Sequence, residues 1–194
     1  MEWQHTVVRT GTAAYHLRGG DLTEGDVDIW NDGTMPFGGL EVWVGGAFCF
    51  LSFPGPQVSE AVWLVATTPT DGVRGTGDKP VAAMAPSGKL EIAGSNSGLS
   101  SELDIPLQAG RWYYIVLHGV NGVVATQELY LYDGSTGDLL GSTGIVLDVT
   151  GPFRNPVTKW GFGTSQDSSG LEYYLDDIYH ISGSTNPGPL RVPQ

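Results

Sequence analysis

The sequence predicts an all-β chain built as a sandwich or a barrel, and three observations point there. Nearly every apolar segment has a hydrophobic period of two, which sends alternate side chains to opposite faces of a strand. Turn chemistry recurs at spacings of roughly 8 to 12 residues. Glycine and proline number 29 and 12 in 194 residues, and a helix loses about 1 kcal/mol for each interior glycine and about 3 for each proline. That density excludes a helical bundle or coiled coil. The length suits one domain.

In chain order, Val27 and Ile29 alternate with Asp26, Asp28 and Trp30. Leu40, Val42 and Val44 alternate with Glu41 and Trp43, after which Gly45-Gly46 reads as a turn. Residues 61–67 (AVWLVAT) are continuously apolar, as in a strand buried on both faces. Residues 68–88 are rich in breakers and predict a long loop over one sheet face. Leu90 and Ile92 alternate with Lys89 and Glu91, and residues 111–118 (RWYYIVLH) carry the richest strand signal. Leu129 and Leu131 alternate with Glu128, Tyr130 and Tyr132, and strands over 145–149 and 157–163 follow. In residues 171–181, Leu171, Tyr173 and Leu175 share one face, and Glu172, Tyr174 and Asp176 the other. A slip at Asp176-Asp177 is expected to set Ile178 and His180 on the face of Asp176. Asn31-Asp32-Gly33, Thr70-Asp71-Gly72, Asn121-Gly122, Asp133-Gly134 and Ser168-Ser169-Gly170 supply residues that tolerate positive φ in turns. The expected organisation is one domain over residues 1–181 and an extended Pro/Gly-rich arm over 182–194.

Nine Lys and Arg stand against 21 Asp and Glu, for a net charge of −12. Such a surface repels phosphate backbones, so nucleic acid and anionic membranes are excluded as partners. No apolar stretch approaches the ~18 residues of a membrane span. Residues 1–6 (MEWQHT) show neither a basic nor an apolar leader segment, and no export signal is expected. Cys49 is the single cysteine. Within AFCFL it reads as a buried, inert thiol.

Several segments resemble the concanavalin A-like, laminin-G-like superfamily. Residues 11–18 (GTAAYHLR) resemble its opening strand, and 107–115 (LQAGRWYYI) its "G-x-W-Y" strand. Residues 127–134 (QELYLYDG) resemble its "L-Y-v-D-G" strand and turn, and 174–179 (YLDDIY) its closing "D-D-i" strand. The resemblance runs from about Gly11 to Ile181. It implies a two-sheet antiparallel jelly roll. Stand-alone versions that end in a Pro-Gly-x-x-x-Val tail are similar to virion proteins of tailed bacteriophages, and here residues 187–192 read PGPLRV.

An enzyme of this superfamily would be a glycoside hydrolase with a Glu-x-Asp-x-x-Glu strand. The nearest approach, residues 102–107 (ELDIPL), ends in Leu107 and is interrupted by Pro106, which a central strand does not accept. Glu172 and Asp176 are four residues apart, ~13 Å along a strand, too far for a retaining pair at about 5 Å. His5, His16, His118 and His180 show no zinc-ligand spacing. No catalytic residue is assigned, and the chain is expected to be non-enzymatic with no obligate cofactor. Ca²⁺ is the one metal considered, at Asp176 with Asp177 and at Asp26 with Asp28, because it takes six to eight oxygens. The alternative for a buried Asp is an arginine or backbone N–H partner.

Sugar faces stack on aromatic rings. Trp3, Trp30, Trp43, Tyr130, Tyr132 and Tyr174 are therefore the candidate glycan platforms, each on the more polar side of its strand; Trp63, Trp112 and Trp160 read as core. The expected function is a virion structural protein, a capsid decoration or tail component, assembled in the host cytoplasm. Its arm would use Pro187, Leu190 and Val192 against other virion proteins or a second copy. The alternatives are an extracellular carbohydrate-binding module or lectin and, after that, a hydrolase.

Overall fold

A computed structural model describes residues 2–4, 6, 9, 13–18, 27–30, 41–54, 62–68, 81–85, 87–93, 100–120, 125–148, 159–164, 170–183 and 185–189. All regular elements among them are strands: β1 (Glu2–Gln4), β2 (Ala14–Arg18), β3 (Val27–Trp30), β4 (Glu41–Ser52), β5 (Val62–Thr68), β6 (Val81–Met84), β7 (Leu90–Ala93), β8 (Ser100–Glu102), β9 (Trp112–Val120), β10 (Ala125–Asp133), β11 (Leu139–Ser142), β12 (Val146–Asp148), β13 (Lys159–Thr164) and β14 (Glu172–Ser182). They form two antiparallel sheets. The large sheet runs β1-β2-β14-β4-β9-β10-β11, with β12 also on β10, and the small one runs β3-β13-β5-β6-β7-β8. The chain is thus a two-sheet antiparallel β-sandwich of jelly-roll type. The termini of the domain meet in the large sheet, where β14 pairs with both β2 and β4.

The core lies between the sheets. Leu17, Val44, Phe48, Phe50, Tyr113, Ile115, Leu117, Leu129, Leu131, Tyr173 and Leu175 descend from the large sheet onto Leu64, Met84, Leu90 and Ile92 of the small one. These are the alternate positions that the period-two pattern assigns to one face. The opposite face of the large sheet carries a second buried cluster of Trp43, Ala47, Tyr114, Val116, Tyr132 and Tyr179. Trp112, read as core, packs against this outer cluster.

Three expectations change. Gly45-Gly46 is no turn: β4 runs through it for 12 residues. The reason is a close approach, because a Cβ on Gly45 would stand 2.6 Å from Tyr179 Cζ. Second, the 68–88 segment is interrupted by β6, whose VAAM sequence lacks alternation because Ala82, Ala83 and Met84 are all buried. Residues 69–80 lie outside the described residues. Third, the slip at Asp176-Asp177 exists, as a register shift between Asp176 and Tyr179 against β4, but it acts in the other sense. Asp176 pairs with Ala47 and Tyr179 with Gly45, so Tyr179 joins the face of Asp176. Ile178 packs against the inner core instead, and His180 pairs with the core residue Val44. Asp177, at φ 48°, absorbs the kink, as a bulge residue does. Residues 102–107 do not form one strand, in keeping with Pro106: β8 ends at Glu102, and Asp104 beyond it is tied to Lys89 Nζ at 2.8 Å.

Candidate functional site

The outer face of the large sheet is where chemistry collects. Strand register sets its side chains in rows. His16, Tyr174, Cys49 and Trp112 form one. Asp176, Ala47, Tyr114 and Tyr132 form the next, followed by Tyr179, Gly45, Val116 and Tyr130. Ile181, Trp43, His118 and Glu128 close the series. The middle strand, β4, contributes only Gly45, Ala47 and Cys49 across three rows. All three are buried, and the Tyr179 ring occupies the space above Gly45. Burial raises the pKa of the Cys49 thiol, so it stays protonated and inert.

Two imidazole–carboxylate pairs lie at opposite ends of this face. His118 Nε2 is 2.7 Å from Glu41 Oε1, and the His118 ring stacks on Trp43 at a centroid distance of 3.6 Å. His16 Nε2 is 2.7 Å from Glu172 Oε1, which also accepts from Arg18 Nε at 3.0 Å. Beside the first pair, the Tyr130 hydroxyl donates to Glu128 Oε2 at 2.6 Å, and Ser142 Oγ donates to Glu128 Oε1 at 3.0 Å. Glu128 stands directly opposite His118 in the ladder. Burial, and then the neighbouring Glu128 carboxylate, raise the pKa of Tyr130, so its phenol stays protonated at neutral pH. His118, Glu41, Glu128 and Tyr130 are all half-buried, and together they form a cluster of proton-carrying groups at one end of the face.

Arg9 crosses the centre. Its guanidinium pairs with Asp177 and sits 4.7 Å above the centre of the Tyr114 ring, within cation–π range. Its Nε donates to Gly134 O at 2.9 Å, and its backbone N donates to Asp176 Oδ2 at 3.0 Å. Asp176 Oδ1 accepts from the Asp177 backbone at 2.8 Å. The adjacent aspartates thus meet an arginine and backbone N–H groups, the partners weighed against Ca²⁺ in the sequence. Among the described residues no three His, Cys, Asp or Glu side chains gather as a metal site. Asp26 lies outside the described residues, and so does the side chain of Asp28. Burial and the Asp177 charge push the pKa of Tyr114 upward.

Gly183, Asn186 and Gly188, beyond β14, lie against the same face. Trp43 Nε1 donates to Gly183 O at 2.8 Å, Tyr179 Oη donates to Gly188 O at 2.8 Å, and Asn186 Nδ2 donates to Tyr132 Oη at 3.1 Å.

The candidate glycan platforms divide accordingly. Trp43, Tyr130, Tyr132 and Tyr174 come together on the outer face. Trp43 is 2% exposed, with its ring under His118 and its N–H used, so it is not a bare platform. Tyr132 is capped by Asn186. Tyr130 and Tyr174 remain half-buried. Trp3 lies in β1 and Trp30 in β3 of the other sheet. The side chains of both, and those of Trp63 and Trp160, are outside the described residues. Pro187 is half-buried, and Leu190 and Val192 lie beyond the described residues. Sequence reasoning missed Glu41, His118 and Glu128. Their strands were legible, but the β4–β9–β10 ladder that brings them together joins residues far apart in sequence.

No protein-family model matches the sequence, and no curated protein matches it. Solved structures do match. Cellulose induced protein Cip1 is 17% identical with a TM-score of 0.64, over 96% of this chain and 87% of that one. Endo-β-1,4-glucuronan lyase from the fungus Trichoderma reesei is 13% identical at 0.62, over 98% and 90%. The PL-14 alginate lyase from Aplysia kurodai is 8% identical at 0.61, over 93% and 86%. A bacteriophage CBA120 tailspike domain is 16% identical at 0.50, over 90% of this chain and 28% of that one. The expectation of a non-enzymatic chain is corrected here, because two of these neighbours are polysaccharide lyases. At these identities the likeness establishes the fold alone, a two-sheet jelly-roll β-sandwich.

Proposed function

We propose that the chain recognises a polysaccharide on the outer face of its large sheet. The observation that carries this is one end of that face, where the half-buried ring of Tyr130 lies beside His118, Glu41 and Glu128. Flat rings beside paired polar groups suit sugars, whose C–H faces stack and whose hydroxyls both donate and accept. The carbohydrate-related neighbours support the same reading. Affinity electrophoresis through gels containing hydroxyethyl cellulose or sodium alginate tests it. Retardation in either gel, lost in Tyr130→Ala, is expected; free migration in both overturns it.

A second reading is cleavage at the same end, favoured by one observation: an imidazole–carboxylate pair and a phenol–carboxylate pair sit on neighbouring strands. In an elimination, His118 would take the proton α to a uronate carboxylate as a carbon–carbon double bond forms. The C–O bond to the leaving sugar breaks, and Tyr130 would protonate that oxygen. Ultraviolet absorbance of the unsaturated product from alginate, lost in His118→Gln, is the expected signal. A virion setting remains a proposal of location, supported by the tail resemblance and the tailspike likeness. Mass spectrometry of purified tailed-phage particles for this chain tests it.

A further inference from the structure

We propose that Trp43, Tyr132 and Tyr179 form a saccharide subsite which the chain's own C-terminal segment fills in the absence of glycan. This rests on the recognition reading above. Three polar groups of the face are taken up by one short segment: the indole N–H by Gly183 O, the Tyr179 hydroxyl by Gly188 O and the Tyr132 oxygen by Asn186 Nδ2. The segment thus offers two acceptors and one donor, all uncharged, and sugar hydroxyls provide the same chemistry. It leaves Tyr179 7% and Tyr132 8% exposed.

The segment is shaped before it docks. Gly183, at φ 124°, turns the chain out of β14 in a backbone region closed to other residues. Asn186 Oδ1 accepts from Gly188 N at 2.8 Å, closing a local turn around Pro187. Prolines at 187 and 189 limit its freedom when detached, so docking costs little conformational entropy. No member of either buried cluster comes from residues 185–189. Three hydrogen bonds tie the segment to the face, and a competing hydroxyl can replace each of them. Glycan affinity is then reduced by the fraction of time the subsite is covered.

The test uses the full chain and Asn186→Ala, with hydroxyethyl cellulose and sodium alginate as probes. Asn186 is exposed and is itself a member of neither buried cluster. Its loss removes both the bond to Tyr132 and the turn bond to Gly188. Two results are expected. The variant binds the retarding probe about fivefold more tightly, the factor of one lost hydrogen bond. In the wild type, the bound probe speeds amide exchange at Thr185, Asn186 and Gly188. If both proteins bind with equal affinity and the probe slows exchange in that segment, the inference fails while recognition stands. If neither protein binds either probe and exchange reports both folded, the recognition reading fails, and this inference with it.

Discussion

Replacing Gly45 with alanine puts a methyl group into space that Tyr179 occupies. The new Cβ would stand 2.6 Å from Tyr179 Cζ and 2.7 Å from its hydroxyl oxygen, about 1 Å inside a normal carbon contact of about 3.5–4.0 Å. Gly45 is not among the glycines at positive φ, so the backbone accepts alanine and the conflict is purely steric. The ring cannot yield freely, because its hydroxyl donates to Gly188 O at 2.8 Å and Tyr114 lies beside it at 6.4 Å between centroids. Overpacking costs about 1–3 kcal/mol, and the lost hydrogen bond about 1 kcal/mol. Against this, alanine in a strand interior gains about 0.5–1 kcal/mol over glycine. The net loss is about 1–3.5 kcal/mol, lowering Tm by about 2–14 °C for a chain of this size. Thermal unfolding followed by circular dichroism measures it, in the wild type and in a Tyr179→Ala background. With the ring gone the sign reverses, and alanine at position 45 stabilises by about 0.5 kcal/mol. A higher Tm for Gly45→Ala in the wild type, or equal losses in both backgrounds, would refute the reasoning.

Other outcomes follow from named groups. Asp133 accepts from Ser135, Arg111 and the Thr136 backbone, which together hold its pKa well below the usual carboxylate range. The stability this supplies is present above the unfolded pKa of about 3.9 and fades as pH falls through the lower folded value. Asp133→Asn is expected to lose about 1–3 kcal/mol at pH 7 in urea unfolding, with the gap to wild type narrowing only below about pH 4. Burial lowers the pKa of His180 to about 4. Its unfolded form therefore binds the proton first, and wild-type stability should fall as pH drops from about 6.5 to 4; His180→Leu should flatten that fall in the same titration. Phe48→Ala removes a fully buried ring flanked by Phe50 and Tyr173 and should cost about 3–5 kcal/mol, read from the midpoint of urea unfolding.

What the sequence disclosed was local. Alternation at Leu129 and Leu131, and at Tyr173 and Leu175, was enough to name the inner face, because burial on one side of a strand leaves a period of two. The β6 strand was hidden because its small residues are buried without alternating. The Gly45-Gly46 pair misled for a related reason. The same residue type serves turns and close approaches, and only the position of Tyr179 on another strand decides between them. The tyrosines at 130, 132 and 174 were visible as polar-face aromatics. The His118–Glu41 pair was not, since 77 residues separate its members, and neither was the use of Arg9 by Asp177, across 168.

The kink at Asp176-Asp177 makes β14 an odd-even device. Before it, odd-numbered residues face the core; after it, even-numbered ones do. Two residues of β14, Asp177 and Ile178, stand opposite the single Gly46 of β4. The kink is therefore a place where the strand can lose a residue without turning its faces over. Removing Asp177 would leave Asp176 opposite Ala47 and Tyr179 opposite Gly45, with plain alternation between them. The same deletion between Tyr179 and Ser182 would instead exchange inward and outward side chains beyond it. Length variation among chains built on this plan should accordingly concentrate at the kink.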